Sequence, residues 1–396
     1  MSEKEKTRNN GGENYVGISQ LRKTLYGSIW LVRTSTGEVL VAKRTVMSEY
    51  NARRFWSNGL FKSRDDPILD TCIHQWIHST QSVPLTENLS SSLKASDLSS
   101  SSSPTALSSE TKSTDATEAE ILRSIINLPN GGGNLYKPSP LEHKHITAAV
   151  IKHYGSNTYH YDDGIMEQWC IREKAESDLF DVVEKGGPMK QEMVLSMFLP
   201  IVQCLAAMHR IGLYHLDLKL ENILVVSNQL KLTDFGLSIA NADLVSPFAQ
   251  TKKSNDDLKK EACGSQCRVC EEVLTRPDAY DYNVGPHQVF TMPSRGHHGT
   301  TGYSSPETTR RQEFSPPAAD VFSLGICIFI CLVAQRPFGD TDLYDRTYHN
   351  WMNRRYPKSF DIVKPEMMKL IRAMTHPNLE LRPSMNNITR IMQKML

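Results

Sequence analysis

Short apolar runs separated by turn residues dominate the first part of the chain. Residues 29–32 and 39–42 flank the turn signal Thr36-Gly37, a pattern typical of a β-hairpin. Residues 146–154 and 167–173 are also predicted to form strands. The first part of the chain is therefore expected to contain a β-sheet.

After Gly187 the apolar spacing changes to that of helices, and four are predicted, at 189–211, 319–335, 364–375 and 385–395. A strand-rich part followed by a helix-rich part predicts an α+β protein with two lobes. The longest apolar stretch, 324–334, is too short to span a bilayer and is predicted to be a buried helix.

Polar segments interrupt this pattern. Residues 1–13 are predicted to be disordered, and 47–114 to be an insert that is extremely serine-rich between 89 and 109. The apolar residues of 53–56 and 68–77 leave open whether the first half of the insert docks on the domain or is unstructured throughout. A helix is predicted over 117–128, with Asp115 and Glu118 resembling a capping box.

The residues with the clearest chemistry follow the first long helix. Residues 215–222 read H-L-D-L-K-L-E-N, and Asp234-Phe235-Gly236 follows a short apolar run. Phosphoryl transfer needs a carboxylate to orient the attacking hydroxyl, and otherwise depends on positioning and charge neutralisation. Asn and Asp side chains supply the hard oxygen ligands that Mg²⁺ prefers. Together these residues form a complete set for phosphate transfer.

This pattern closely resembles the catalytic loop and D-F-G motif of eukaryotic protein kinases. The resemblance implies a bilobal kinase fold with a β-rich N-lobe, a helical C-lobe and an ATP cleft between them. It assigns Asp217 as catalytic base, Lys219 as a contact of the transferring phosphate, and Asn222 and Asp234 as Mg²⁺ ligands. Val41-Ala42-Lys43 resembles the family's V-A-I-K strand, which makes Lys43 the ligand of the α- and β-phosphates.

Three later segments resemble kinase landmarks in the same order: 299–307 (G-T-T-G-Y-S-S-P-E), 320–325 (D-V-F-S-L-G) and 382–384 (R-P-S). The resemblance predicts a buried structural ion pair between Glu307 and Arg382. Lys219 and Thr300 match the serine/threonine branch of the family, and tyrosine or dual specificity is the less favoured alternative.

The resemblance also implies which residues surround the nucleotide. The expected partner of Lys43 is Glu118, which lies on the helix predicted over 117–128, and Glu120 is the alternative partner. A purely structural interpretation is that Glu118 caps a helix at the surface. Asp178 is expected to contact the ribose, and it could also bind a basic substrate side chain together with Glu221. The other expected nucleotide contacts are Gly27, Ile29, Ala42, Glu173, Ala175 and Leu224.

The sequence departs from the family pattern at several positions. Of the three glycines of the Gly-rich loop only Gly27 remains, and Arg22 and Thr24 occupy the other two positions, which predicts weaker ATP binding. Leu216 stands where most kinases have the Arg that binds a phosphorylated activation loop. Arg172 falls at a position bordering the adenine pocket, where the family usually has an uncharged residue.

The activation segment is much longer than usual and carries an insert at about 241–296. Within it lie Cys263, Cys267 and Cys270, with His287, His297 and His298 further on. Closely spaced thiolates with a distal fourth ligand could hold Zn²⁺. A flexible loop with free thiols is the favoured alternative, because the spacing is not that of a standard zinc knuckle and the fourth ligand is ambiguous.

The predicted organisation is a disordered start (1–13), an N-lobe (15–172) containing the insert at 47–114, and a C-lobe (173–396) containing the activation-segment insert. A length of 396 residues with 39% hydrophobic and 22% charged residues suits a globular protein. The net charge of +1 favours neither nucleic acid nor an anionic membrane as partner.

The first residues lack the apolar core of a secretory signal, and most of the eight cysteines are dispersed, so a cytoplasmic or nuclear kinase with protein substrates is expected. The alternative function is a pseudokinase, a kinase fold that serves as a scaffold or allosteric regulator and binds ATP weakly. The presence of Lys43, Asp217, Asn222 and Asp234 favours the active enzyme.

Overall fold

The structure is a computed structural model that describes residues 6–8, 14–24, 27–48, 67–78, 138–161, 165–240, 299–342 and 344–396. The predicted helix over 117–128, the serine-rich stretch and the cysteine cluster lie outside these residues, so the predictions made for them stay predictions.

An antiparallel six-stranded sheet forms the first lobe. Its strands are β1 (Lys6–Arg8), β2 (Asn14–Thr24), β3 (Gly27–Arg33), β4 (Val39–Ser48), β5 (His153–His160) and β6 (Ile165–Arg172), in the spatial order β1-β2-β3-β4-β6-β5. The predicted hairpin is the β3–β4 pair, whose turn uses Gly37 at φ 92°. One face of the sheet buries a small core of Tyr15, Val32, Leu40, Ala42, Trp169 and Ile171.

Helix α1 (Pro67–His78) packs against the rear of this sheet, within the first half of the predicted insert. Ile73 and Ile77 are both almost fully buried and join the main hydrophobic core. This segment therefore docks on the domain, and the unstructured alternative does not hold for it.

The predicted strand over 146–154 is wrong in its first half. Residues 146–149 belong to helix α2 (Pro140–Ala149), and the strand begins only at His153. Ser139 and Glu142 form a capping box, with Pro140 at the first helical position. These start signals fix the helix, so Ile146 becomes a residue of its buried face.

The second lobe is mainly helical, as predicted. Its helices are α3 (Leu179–Gly186), α4 (Gln191–Ile211), α5 (Pro306–Thr309), α6 (Pro316–Val333), α7 (Arg346–Met352), α8 (Pro365–Met374) and α9 (Met385–Met395). Within the described part of the chain, α4 and α6 are long and apolar enough to cross a membrane by length and composition, but most of each lies buried in the fold. They are the central helices of the C-lobe core.

Short strands lie where the two lobes meet. Strands β7 (Ser177–Asp178), β9 (Ile223–Val226) and β10 (Gln229–Leu232) form one small sheet, and β8 (Leu213–Tyr214) pairs with β11 (Ile239–Ala240) in another. The loop between β8 and β9 carries the H-L-D-L-K-L-E-N motif. The result is the bilobal α+β fold that the kinase resemblance implied, with the motif residues at the cleft between the lobes.

Candidate active site

Strand β4 presents Lys43 to the cleft. Alternate side chains of a strand face opposite ways, and directly paired residues share a face. Ile29 is paired with Lys43 and shares its face, as expected for a nucleotide contact. Ala42 points to the opposite face of the sheet and is buried in the small core, so its expected nucleotide contact is wrong. The neighbour of Lys43 that lies on the cleft face is Val41.

The roof of the cleft is the β2–β3 hairpin. A Cβ on Gly27 would lie 2.0 Å from the Arg44 carbonyl oxygen, so this glycine is required by the close approach of strand β4. Arg22, which replaces the first glycine, reaches down to within 4.0 Å of the Asp178 carboxylate. The residues at the hairpin tip, 25 and 26, lie outside the described part.

The segment that connects the lobes follows β6. The Glu173 amide donates to the Lys152 carbonyl (2.9 Å), and the Glu173 carboxylate accepts from Lys231 (2.7 Å). These contacts fix Glu173 at the start of the segment for which a contact to adenine is expected.

Asp178 and Leu224 face each other in the β7–β9 pair below that segment. The Asp178 side chain accepts a hydrogen bond from the Asp181 amide (2.8 Å) and so caps helix α3. The expected ribose contact is therefore also an N-cap, with one carboxylate oxygen used by the helix.

Asp217 lies at the centre of a hydrogen-bond network on the floor of the cleft. Lys219 Nζ and Asn222 Nδ2 donate to its Oδ2 at 2.7 and 2.9 Å, and Thr300 Oγ1 donates to its Oδ1 at 2.7 Å. Lys219 also contacts Thr300 (3.1 Å). Burial acts to lower the pKa of Lys219, but the adjacent Asp217 carboxylate raises it above the ordinary value. The sequence-predicted residues are thus brought together, with the activation segment attached through Thr300.

A buried carboxylate on helix α6 holds this loop in place. Asp320 is fully buried and accepts from the backbone amides of His215 (2.9 Å) and Leu216 (2.7 Å). Leu216 takes a positive φ of 61°, a strained conformation for a leucine that the two bonds to Asp320 support. Strained backbone of this kind is concentrated at active sites and switch regions, which agrees with a functional role for this loop.

The Leu216 side chain lies in an apolar cluster. Its neighbours are Tyr214, Ile239, Phe314 and Ala319, and all five residues are buried. Strand β11, which begins three residues after the end of the D-F-G motif, contributes Ile239 to this cluster. An apolar contact therefore holds the described start of the activation segment.

Asp234 faces the roof of the cleft from below. Its Oδ1 accepts from Lys43 Nζ at 2.6 Å, and its φ is 68°. The Thr233 amide donates to the Asn222 carbonyl (3.1 Å), so Asn222 lies beside the residue that precedes Asp234. The two predicted metal ligands are therefore close together.

The carboxylate of helix α1 that the structure places beside Lys43 is Asp70. Asp70 Oδ2 lies 3.4 Å from Lys43 Nζ and also accepts from Arg172, while Asp70 Oδ1 accepts from the Phe235 amide at 2.9 Å. Burial acts to raise the pKa of Asp70, but Arg172 and then Lys43 outweigh it and hold this pKa well below its ordinary value. The expected partner, Glu118, lies outside the described residues, and its pairing stays a prediction.

Sequence reasoning missed Asp70, although a signal was present. Asp70, Ile73, His74 and Ile77 follow the i, i+3, i+4, i+7 spacing of one helix face, and Pro67 stands at the helix start. The serine-rich neighbourhood obscured this pattern.

A column of rings connects the lobes behind the cleft. The centroids of His215 and Phe235 are 4.8 Å apart, those of Phe235 and His74 5.1 Å, and those of His74 and His153 6.1 Å. Burial lowers the pKa of His74 to about 3, so its imidazole is neutral at physiological pH. Helix α1 and the D-F-G segment are therefore packed as one unit.

The predicted pair between Glu307 and Arg382 is confirmed. Arg382 Nη1 and Nη2 donate to the two carboxylate oxygens of Glu307 at 2.6 and 2.7 Å, a bidentate geometry. Ser305, which replaces the family's Ala, donates to Glu307 at 2.7 Å. The pair fixes the end of the activation segment to the C-lobe core.

The donor set fits a magnesium–nucleotide complex. Asn222 uses its amide nitrogen to bind the backbone carbonyl (2.8 Å) and the carboxylate of Asp217, so its amide oxygen is the atom that it offers a cation. The Asp234 carboxylate and the Asn222 oxygen are ligands of the hard type that Mg²⁺ prefers. Among the described residues there is no cluster of three or more His, Cys, Asp and Glu side chains that could hold a metal, and Cys263, Cys267 and Cys270 lie outside them.

Comparisons with known proteins agree with this geometry. The family model of the protein kinase domain matches residues 141–287 and 291–394. Testis-specific serine/threonine-protein kinase 3 of Mus musculus is 27% identical over 223 residues, which cover 56% of this chain and 66% of that protein. CBL-interacting serine/threonine-protein kinase 2 of Arabidopsis thaliana is 29% identical over 206 residues, covering 52% of this chain and 35% of that protein.

The two-lobed fold and the cleft residues thus define a class of nucleotide-binding domain, and the family match covers well over half of the chain. The chain belongs to the protein kinase domain family. It spans just under two thirds of the mouse relative and about a third of the plant relative.

Proposed function

We propose that the protein is a serine/threonine protein kinase that transfers the γ-phosphate of ATP to hydroxyl groups of protein substrates. The observation that carries the proposal is the network around Asp217, in which Lys219, Asn222 and Thr300 all bind one carboxylate on the floor of the cleft. The low identity to the relatives means that the site, rather than the family, supports the activity.

Asp217 is proposed to orient the substrate hydroxyl and to accept its proton. Lys219 and Asn222 hold the Asp217 carboxylate from one side and Thr300 holds it from the other, so that its direction is set before the substrate arrives. Lys219 is proposed to stabilise the negative charge that develops on the transferring phosphate.

Lys43 is proposed to bind the α- and β-phosphates from the roof of the cleft. Asn222 and Asp234 would hold Mg²⁺, which supplies charge neutralisation of the phosphate oxygens when bound. Glu173 and Ala175 are proposed to present backbone groups to the adenine, and Ile29 and Leu224 are proposed to contact the nucleotide.

Serine/threonine specificity is supported by the Lys219–Thr300 contact of 3.1 Å. This contact connects the catalytic loop to the activation segment. It therefore helps to form the surface where the short side chain of a substrate Ser or Thr would reach Asp217. The names of the relatives above are those of serine/threonine kinases and support the same choice.

The test is phosphate transfer from ATP and Mg²⁺ to a library of Ser-, Thr- and Tyr-containing peptides, with the products identified by mass spectrometry. Phosphoserine and phosphothreonine products that disappear in Asp217→Asn would agree with the proposal. ATP binding without transfer to any peptide would instead favour the pseudokinase alternative, for which the degraded glycine loop is the motivating observation.

The cysteine cluster of the activation segment is proposed as an additional zinc site, and the spacing of the cysteines in the sequence supports it. About one zinc per chain by elemental analysis, lost in Cys267→Ser, would agree with it. Metal-free protein whose stability is unchanged by that substitution would favour a loop with free thiols.

A further inference from the structure

Arg336 is an exposed cation beside the end of the activation segment. Its guanidinium carbon lies 5.3 Å from the centre of the Tyr303 ring, a cation–π geometry. Tyr303 is almost fully buried, and its hydroxyl donates to the carboxylate of Glu221 in the catalytic loop at 3.5 Å. The Tyr303 side chain therefore connects Arg336 to the loop that contains Asp217.

The backbone at Gly302 leaves room for this guanidinium. A Cβ on Gly302 would lie 2.7 Å from Arg336 Nη1, so a side chain at this position would have to displace the cation. The φ of Gly302 is 85°, which lies in the left-handed region that favours glycine. The guanidinium thus lies against both the Tyr303 ring and the Gly302 backbone, in the segment that Thr300 attaches to Asp217.

The charge of Arg336 has no acidic partner of its own. Within the part of the chain that the structure describes, no carboxylate forms an ion pair with this side chain. The acidic residues that follow it bind backbone amides instead, with Asp340 accepting from Thr341 (2.7 Å) and Asp345 from Tyr348 (2.9 Å). A guanidinium presents several N–H donors in a rigid fork, so donors of Arg336 are left for an anion from outside the described residues.

The position of Arg336 relative to Asp217 decides which part of a substrate reaches it. The acceptor hydroxyl is proposed to lie at Asp217, to which Thr300 donates at 2.7 Å. Gly302 follows two residues after Thr300, and consecutive Cα atoms are about 3.8 Å apart. Because an extended peptide advances about 3.3 Å per residue, the guanidinium lies within about five residues of the acceptor.

We propose that Arg336 is a specificity-determining residue that binds the carboxylate of a substrate Asp or Glu located within about five residues of the phosphorylated Ser or Thr. This inference rests on the proposed kinase function and names its substrate class, peptides with an acidic side chain near the acceptor. A guanidinium donates to a carboxylate through two parallel N–H groups, and the Tyr303 ring holds this one in place before the substrate arrives.

The test measures kcat/KM for peptides that carry Glu, Gln or Lys at one position at a time, up to about five residues on either side of the acceptor. At one or more positions, wild type should use the Glu peptide about three to ten times better than the Gln peptide. In Arg336→Gln this ratio should fall to about one, while kcat/KM for the Gln peptide stays within about twofold of wild type. In Arg336→Glu the preference should change from Glu to Lys.

Arg390→Gln is the matched control. Arg390 is also exposed, but it lies on helix α9, which packs against α4. This variant should keep the wild-type preference for Glu.

The inference would be overturned if wild type showed no preference for Glu at any position, or if Arg336→Gln kept that preference. An equal loss of kcat/KM for all three peptides, with an unchanged ratio, would also overturn it, because it would show that Arg336 acts only on the fold. Wild type gives a second measurement, since the preference for Glu should weaken as the salt concentration rises. A preference that does not depend on salt would contradict an exposed charge pair.

Failure of the proposed function is recognised separately. If wild type transfers no phosphate to any peptide, binding of fluorescently labelled peptides with Ala at the acceptor position replaces kcat/KM. Tighter binding of the Glu peptide than of the Gln peptide, lost in Arg336→Gln and kept in Arg390→Gln, would still support the role of Arg336. Equal binding of the two peptides to wild type would overturn it.

Discussion

Two buried arginine–carboxylate pairs serve different purposes in this molecule. Arg382 and Glu307 satisfy each other through two parallel bonds, within elements that all belong to the C-lobe. Asp70 divides its oxygens among Arg172, Lys43 and the Phe235 amide, which belong to elements on both sides of the cleft. The first pair connects elements within one lobe, whereas the second connects elements on both sides of the cleft.

The comparison predicts that breaking the C-lobe pair costs mainly stability. Glu307→Gln keeps the shape but leaves the Arg382 cation buried and unpaired, so we expect a loss of about 3–5 kcal/mol in the free energy of unfolding. Chemical denaturation measures it. In the folded fraction, KM for ATP should stay unchanged.

The matched control is Glu192→Gln, which breaks an exposed pair with Lys364 (2.5 Å). Solvent screens this pair, so the loss should be much smaller than in Glu307→Gln. Equal losses in the two variants would show that burial does not separate the C-lobe pair from a surface pair.

A second prediction concerns how the stability of the protein depends on pH through His74, which lies beside Asp70. Burial lowers the pKa of His74 to about 3, so the unfolded chain takes up a proton near pH 6.5 that the folded chain does not. Stability should therefore fall as the pH decreases, with His74 alone contributing a loss of about 2 kcal/mol between pH 7 and pH 5.

Unfolding curves at several pH values test this, with His74→Leu expected to show a shallower dependence. The charged and titratable groups around His74 are Asp70 on its own helix, Arg172 from β6 and His153 from β5. His143→Gln, a change at an exposed position on α2, should leave the wild-type slope in place. An unchanged slope in His74→Leu would show that His74 does not carry the effect.

The motif residues and the rear of the cleft also differ in how far the sequence predicted them. Asp217, Lys219, Asn222 and Asp234 occur within short segments whose order and spacing are specific, and the structure brings them together as expected. The Glu307–Arg382 pair was predicted from the same kind of signal. Local spacing along the chain was sufficient for each of these.

Asp70 and Arg172 could not be paired from the sequence, because their contact depends on how α1 docks against β6 across 102 positions. The strand predicted at 146–149 failed because β-branched and apolar residues also suit the buried face of a helix, and the capping box decided between them. The error at Ala42 has a similar origin. A motif match fixes Lys43, but the alternation of the strand decides which neighbour faces the cleft.

The smallest expected effect concerns phosphate on the activation segment. The Leu216 side chain offers a phosphate no hydrogen bond, and the buried cluster around it already holds strand β11. We expect phosphatase-treated protein to keep most of its activity, within about twofold of untreated protein. A large loss that rephosphorylation restores, mapped to a loop Ser or Thr, would contradict this.

The most direct test of the central claim, that this cleft catalyses phosphate transfer, is to measure ATP binding and turnover together in Asp217→Asn. Asp217 contacts Lys219, Asn222 and Thr300, and none of its hydrogen bonds involves Lys43 or Asp234. The account predicts that the affinity for ATP with Mg²⁺ stays within about threefold of wild type while kcat falls by a factor of about 100 or more. Turnover close to that of wild type in this variant would contradict the account.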